Sequence, residues 1–292
     1  MSIVILVGGR SAEGNYEHRY LVQQFLERFP DQVLRVITTT PTQRTLSQKI
    51  SRTIKRGGYA ERIRRAIYNR TQAASPELLG DQLFGTDKPA TMPGGNKVQE
   101  VSGHNAADCE ALLRELQPDV IVVYGTMLIK ENIFSQAKIC TLNMHTGLSP
   151  YYRGDSTLFW PVYYNDKDHL GVTVHQLVPE VDGGDIVYTG RVHYETGDRE
   201  AHIFAKGVKT GSELYLQAVE DALNGTIEYH QQDLAMGREF RWIQRTVAAE
   251  KQVTRVFDEW EQAALNNADN PASSQNVSAS APGGVLNGGA HS

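Results

Sequence analysis

The sequence predicts an α/β fold, a Rossmann-like, doubly wound and mostly parallel sheet, on three observations. Residues 2–7 (SIVILV) are a nearly continuous apolar, β-branched run of the kind that parallel strands buried on both faces display. A helical stripe at Tyr20, Leu21, Phe25 and Phe29 leads to a second strand at residues 32–38, which completes a β-α-β opening. Residues 118–124 (PDVIVVY) then read as a core strand ending at Gly125, and sites of open α/β sheets lie at such carboxyl ends.

A chain of 292 residues, 40% of them hydrophobic, can bury a substantial core and reads as one large domain with appendages. Its only cysteines, Cys109 and Cys140, lie outside any CxxC or Cys/His cluster, so neither a disulfide nor a metal site is expected and a reducing, cytoplasmic setting fits. No apolar run reaches membrane-spanning length, and the apolar start is too short for a secretory segment.

The glycine loop at residues 8–14 lacks GxGxxG spacing, and no acid closes the second strand, so a dinucleotide site is not expected. Residues 44–70 form a basic insert: nine Lys and Arg stand against Glu61 alone, a net +8 that leaves −13 for the rest of the −5 chain. Leu46, Ile50 and Ile54, then Ile63 and Ile67 beyond Gly57-Gly58, recur every four residues and predict a helical hairpin with one thin apolar face. Three readings stay open for it: a solvated basic face over the sheet edge, a clamp for acceptor phosphates, or docking to RNA or acidic lipid.

Residues 71–96 are rich in Pro, Gly and small polar residues and read as a loop before a strand at 97–101 and a helix at 105–116. Downstream, residues 171–178 and 185–193 read as strands, and 199–224 and 239–264 as helices. This divides the chain into a catalytic domain at 1–230, a helical extension at 231–265 and, at 266–292, a tail of Asn, Ser, Ala and Gly too polar to order itself.

Candidate chemistry gathers between Lys138 and Gly184. The run Ile139 to Leu142 reads as a buried strand, and Asn143 and His145, two apart at its end, project to the same side. Asp182 sits in a turn after the next strand, where Gly183-Gly184 permit positive φ. An amide, an imidazole and a carboxylate together suit addition to a carbonyl: Asn143 and His145 donate to the developing oxyanion, and Asp182 orients His145 and relays protons. Singly, each is commonplace, since a strand-end His is usually a structural hydrogen-bonder and Asp-Gly-Gly an ordinary turn. Tyr151, Tyr152 and Arg153, with Phe159, Trp160 and Tyr163 behind them, make an aromatic and cationic rim on the following loop.

Four segments, Asn143-Met144-His145, residues 149–154 (SPYYRG), 171–175 (GVTVH) and 181–186 (VDGGDI), resemble, in order, four motifs of the folate-dependent formyltransferases. These are the N-x-H strand end, the LLP-x-x-x-G-like loop, the G-x-[ST]-V-H strand and the D-[TGS]-G-x-I turn. The resemblance covers about residues 1–230, most strongly 118–190. It implies transfer of a formyl group from 10-formyltetrahydrofolate to a primary amine, without a metal. The pterin would lie against Met127, Leu128 and Ile129 and against Pro179, Glu180 and Val181. His175 would support Asp182, and Tyr151, Tyr152 and Arg153 would meet the acceptor.

The purine-pathway member's G-x-G-S-N phosphate loop is absent here, and the tail leaves no room for the β-barrel of the tRNA-formylating member. An amino-sugar on a nucleotide is therefore the expected acceptor, a small and phosphorylated molecule. Nucleic acid is not the expected partner, and homodimerisation stays open. The alternatives are a formyltetrahydrofolate hydrolase, which in the family carries a regulatory domain ahead of the first strand; formylation of an amino acid, peptide or tRNA-linked amine; and a non-catalytic relative, which would be expected to have lost part of the Asn143, His145 and Asp182 set.

Overall fold

The computed structural model describes residues 1–8, 15–40, 45–55, 58–71 and 76–269. Residues 9–14 of the glycine loop, Arg44, Arg56, Gly57 and the tail beyond 269 lie outside the described residues. The chain begins with β1 (Ile3–Val7), α1 (Tyr16–Arg28) and β2 (Val33–Thr39), followed by the inserted hairpin of α2 (Leu46–Lys55) and α3 (Gly58–Thr71). Next come α4 (Pro76–Phe84), β3 (Val98–Val101), α5 (Ala107–Leu116), β4 (Val120–Tyr124), the one-turn α6 (Glu131–Phe134) and β5 (Cys140–His145). The second half holds β6 (Tyr152–Gly154), α7 (Phe159–Tyr163), β7 (Gly171–Gln176), β8 (Ile186–Arg191), α8 (Glu200–Asn224), β9 (Arg238–Phe240) and α9 (Val247–Asp269).

Seven strands form one sheet in the order β3-β2-β1-β4-β5-β7-β8. The first five are parallel, whereas β7 is antiparallel to β5 and β8 to β7. Alternation along β1 assigns its two faces. Ile3, Ile5 and Val7 pack with Leu21, Val22 and Phe25 of α1 and Tyr215 and Val219 of α8, while Val4 and Leu6 pack with Cys109 and Leu113 of α5. A second core joins α7 to α9 through Phe159, Trp160, Phe240, Val253, Phe257 and Trp260.

Tyr215 ties the layers together from the buried face of α8. Its hydroxyl accepts from the Val123 N–H at 2.8 Å and donates to the Leu142 carbonyl at 2.5 Å, bridging the two strands that lead to the candidate site. Tyr215→Phe is expected to cost about 1–3 kcal/mol by stranding both groups, read as a lowered urea midpoint. An unchanged midpoint would mean that neither bond contributes.

Three expectations need correction. The predicted loop at 71–96 contains α4: Pro76 fits a first helical position, where no N–H is needed, and Leu79 and Leu83, four apart, pack with Tyr16, Tyr20, Ala205 and Val208. The last helix starts at Val247 rather than 239, because Arg238–Phe240 pair in parallel with β6 and Thr246 Oγ1 caps the helix by accepting from Ala249 N–H at 3.2 Å. That helix also continues to Asp269, past the expected start of the tail at 266.

Candidate active site

The end of β5 and the neighbouring β7 build the site. Asn143 and His145 share one face of β5, and the antiparallel register sets His175 opposite Asn143 and Thr173 opposite His145. Met144 points to the other face, where it touches Gly211 of α8. The turn after β7 then folds back and delivers Asp182 between the two imidazoles, with Oδ2 3.3 Å from His145 Nδ1 and Oδ1 3.5 Å from His175 Nε2.

The positive φ expected of the paired glycines falls instead on Asp182, at 47°. The glycines serve close approach: a Cβ on Gly184 would stand 1.9 Å from the Gln176 carbonyl oxygen. Gln232 braces the turn by donating from Nε2 to the carbonyls of Asp182 (2.9 Å) and Gly184 (2.5 Å). Gly154 N–H donates to Asp182 Oδ2 at 2.7 Å. Gly154 has φ 91°, and any Cβ there would come within 2.1 Å of the Phe240 carbonyl, so the β6–β9 ladder leaves room for glycine alone.

Hydrogen bonding assigns the ring tautomers. His175 Nδ1 faces the Gln176 carbonyl at 2.8 Å and must donate to it, so the neutral ring's Nε2 accepts from Asn143 Nδ2 at 3.1 Å. His145 Nε2 likewise donates to the Tyr152 carbonyl at 2.8 Å, which turns the lone pair of Nδ1 toward the Asp182 carboxylate. Burial lowers the His145 pKa below the ordinary 6.5, against the upward pull of Asp182 and the Tyr152 carbonyl. Burial would raise Asp182, but the pull of His145 and His175 in their protonated forms, together with the Gly154 N–H, outweighs it and holds the carboxyl well below the usual carboxylate range. When the His145 ring is neutral, the Gly154 N–H is the donor that still favours the ionised carboxylate. A lone pair facing a carboxylate is a place for one proton, so the pair is built to accept one.

A lowered histidine pKa has a definite sign. The unfolded chain takes up a proton near pH 6.5 that the folded site resists, so stability is complete above that pH and declines as pH falls below it. Burial lowers His18 and His104 in the same way. The urea midpoint is expected to be flat above about pH 6.5 and to fall below it, and an acid limb in kcat/KM is expected below 6.5. An acid limb centred above 6.5 would contradict a base lowered by burial.

The remaining sequence candidates divide. Met127 and Leu128 are exposed on the loop after β4, and Pro179, Glu180 and Val181 are exposed on the turn that carries Asp182. Ile129 is buried in the core beside α5 and α6, so its side chain is not available to a ligand. Asn105 pins that loop by donating to the Leu128 carbonyl and accepting from Lys130 N–H, each at 2.8 Å. Tyr152 is not on a solvent-facing rim: its ring stacks on Phe240 and its hydroxyl donates to Asp166 at 2.8 Å. Tyr151 is half-buried against His169 at 4.2 Å. Arg153 reaches back along the Asp182 turn, within 3.3 Å of the Val181 carbonyl. Gly154 closes the SPYYRG segment that the sequence singles out, although no role is assigned to it there, while nothing in the sequence marks Gln232.

The open α/β sheet sets an amide, an imidazole and a carboxylate together at the end of a central strand, an arrangement that can donate to a carbonyl oxygen and exchange a proton. Residues 35–219 match the formyl transferase family model, and the chain belongs to that family. It is similar to the methionyl-tRNA formyltransferase of Ligilactobacillus salivarius, 28% identical over 148 residues, which cover 50% of this chain and 42% of that relative. The matched stretch thus spans less than half of that relative's length. Among solved structures, an N-formyltransferase from Helicobacter canadensis superposes with TM-score 0.54 at 16% identity, covering 88% of this chain and 81% of that one. A sugar N-formyltransferase from a Shewanella species gives 0.53 at 12%, with 88% of each chain covered. At these identities the likeness is one of fold.

Proposed function

We propose that this protein transfers a formyl group from 10-formyltetrahydrofolate to the primary amine of a small acceptor, an amino-sugar carried on a nucleotide. The observation that carries the reading is the Asp182–His145 pair, an ionised carboxylate facing an imidazole lone pair, with the Asn143 amide two residues away on the same face of β5. The amine nitrogen attacks the formyl carbon, a C–N bond forms, and the carbonyl electron pair moves onto oxygen. Asn143 Nδ2 gives one N–H to His175 and has a second for that oxygen. The Asp182–His145 pair takes the proton from the amine and returns it to the folate nitrogen as the bond from that nitrogen to the formyl carbon breaks. Because His145 Nε2 is committed to the Tyr152 carbonyl, the ring works through Asp182 rather than on the oxyanion.

The residues present fit the formyl donor. Met127, Leu128 and Val181 offer exposed apolar surface on two loops, and Gln232 Oε1 is a buried acceptor without a partner among the described residues. Arg153 fits a phosphorylated acceptor, since among the described residues it forms no ion pair and its guanidinium hydrogen-bonds to the Val181 and Leu234 carbonyls, at 3.3 and 3.5 Å. Beside it, Tyr151, Tyr164, Asp166, His169 and Arg238 line a cavity of about 300 Å³ suited to a ring. The Helicobacter canadensis protein was solved in complex with folinic acid and dTDP-3-aminofucose, which supports this acceptor class. The names of the curated relatives support a second reading, methionyl-tRNA.

Tetrahydrofolate release from 10-formyltetrahydrofolate, followed with nucleotide-linked amino-sugars, with methionyl-tRNA and with no acceptor, separates these readings. Release that depends on an amino-sugar is expected. Equal release without any acceptor would make the protein a hydrolase, and release with methionyl-tRNA alone would overturn the acceptor class.

A further inference from the structure

The α2–α3 hairpin turns its polar side inward and its apolar side to solvent. On α3, Glu61 and Arg65, one turn apart, face the body of the protein: Glu61 accepts the Val247 N–H at 2.8 Å, and Arg65 reaches the Arg245 carbonyl and, at 3.3 Å, Glu250. Tyr59, Ile63 and Ile67 recur every four residues and, at about 100° per residue, centre on the opposite side of the helix. Helix α2 repeats the plan. Ser47, Gln48, Ser51, Arg52 and Lys55 line a cleft with Trp242, while Leu46, Ile50 and Ile54 point away from it. Trp242 and residues 245–250 form one stretch beneath both helices, so both stripes leave on the same side. The six side chains are between 41% and 74% exposed.

Solubility alone would reverse this pattern, and the charge of the segment says what covers it. Arg62 and Arg64 lie about 100° to either side of Ile63, exposed at the edges of the apolar stripe. The insert carries net +8 in a chain of −5. Hairpin-to-hairpin pairing of two copies would bring two such charges together. RNA would engage the cations and leave the isoleucines wet. A protein partner would need a pocketed anchor of clustered aromatics and arginine, whereas these are mostly single aliphatic side chains spaced along two helices. Apolar side chains flanked by cations on a helix match an interface of acyl chains beneath anionic headgroups.

We propose that the α2–α3 hairpin docks on an anionic lipid bilayer, with Leu46, Ile50, Ile54, Tyr59, Ile63 and Ile67 entering the interface and Arg62 and Arg64 meeting headgroup phosphates. No helix among the described residues is long and apolar enough to cross a membrane, so the contact is interfacial.

The test is flotation of the full chain with phosphatidylcholine vesicles, with and without phosphatidylglycerol. Binding is expected only with phosphatidylglycerol, and high salt should release it. Ile63→Asp with Ile67→Asp, and separately Arg62→Glu with Arg64→Glu, should each weaken it about tenfold or more while leaving melting temperature and formyl transfer to a soluble acceptor unchanged. Fluorescence of Ile63→Trp should shift to the blue with the anionic vesicles alone. No binding to anionic vesicles, or binding indifferent to both double variants, overturns the proposal. So does a dimer by light scattering that Ile63→Asp converts to monomer without any vesicle binding, which would assign the face to a second copy. Retention on RNA without vesicle binding, or a raised acceptor KM in Arg62→Glu with Arg64→Glu, returns the cations to the other readings and overturns it as well.

Discussion

Asp182→Asn is expected to lower kcat by about a hundredfold or more, the range that a positioned proton-transfer group contributes, with the fold retained. The amide has the carboxylate's shape, so its oxygen in the Oδ2 position still accepts from Gly154 N–H, while its nitrogen takes the Oδ1 position that faces the His175 Nε2 lone pair. His145 Nδ1 is left facing a neutral amide oxygen, and the place for a proton disappears. Stability at neutral pH should therefore change little as activity is lost. Asp182→Ala separates the two effects, because it also strands the Gly154 N–H, at a cost of about 1–3 kcal/mol. Steady-state rates and urea unfolding on both variants check this. If Asp182→Asn turned over within about threefold of wild type, too little for general acid–base catalysis, the pair would not be the base.

Where sequence and structure agree, the signal was local. The run at residues 2–7 and the run at 118–124 are β1 and β4, adjacent in the sheet, because β-branched segments buried on both faces have few other places to go. Period-two alternation was enough to set Asn143 and His145 on one side, and an Asp-Gly-Gly turn after a strand was enough to aim Asp182 at them. Disagreement arose where long-range contacts decide. Tyr152 and Ile129 occupy loop-like sequence, yet each is buried by a distant element, Phe240 of β9 in one case and α5 and α6 in the other. Strands β6 and β9 are three residues each, too short for any periodicity, and they find each other across most of the second half of the chain. Through Gly154 that small ladder holds the carboxylate, so the C-terminal extension helps to build the site.

Asn143→Ala is expected to cost about 2.7–4 kcal/mol of transition-state stabilisation, a fall in kcat of roughly a hundred- to a thousandfold. The amide is held by an imidazole whose own tautomer is set by a backbone carbonyl: the Gln176 carbonyl requires a proton on His175 Nδ1, His175 Nε2 must then accept, and Asn143 Nδ2 supplies the donor. One amide N–H is spent on that bond and the other is left in a fixed direction, so no reorganisation is needed when charge develops on the formyl oxygen. KM should change little, since a neutral carbonyl in the ground state gains less from the donor than an oxyanion does. Asn143→Asp should fall further than Asn143→Ala, because a carboxylate at that position repels the oxyanion and faces the His175 Nε2 lone pair, whereas alanine leaves room for water. If Asn143→Asp were the more active of the two, the amide would be serving as an acceptor, and oxyanion stabilisation would have to come from another group.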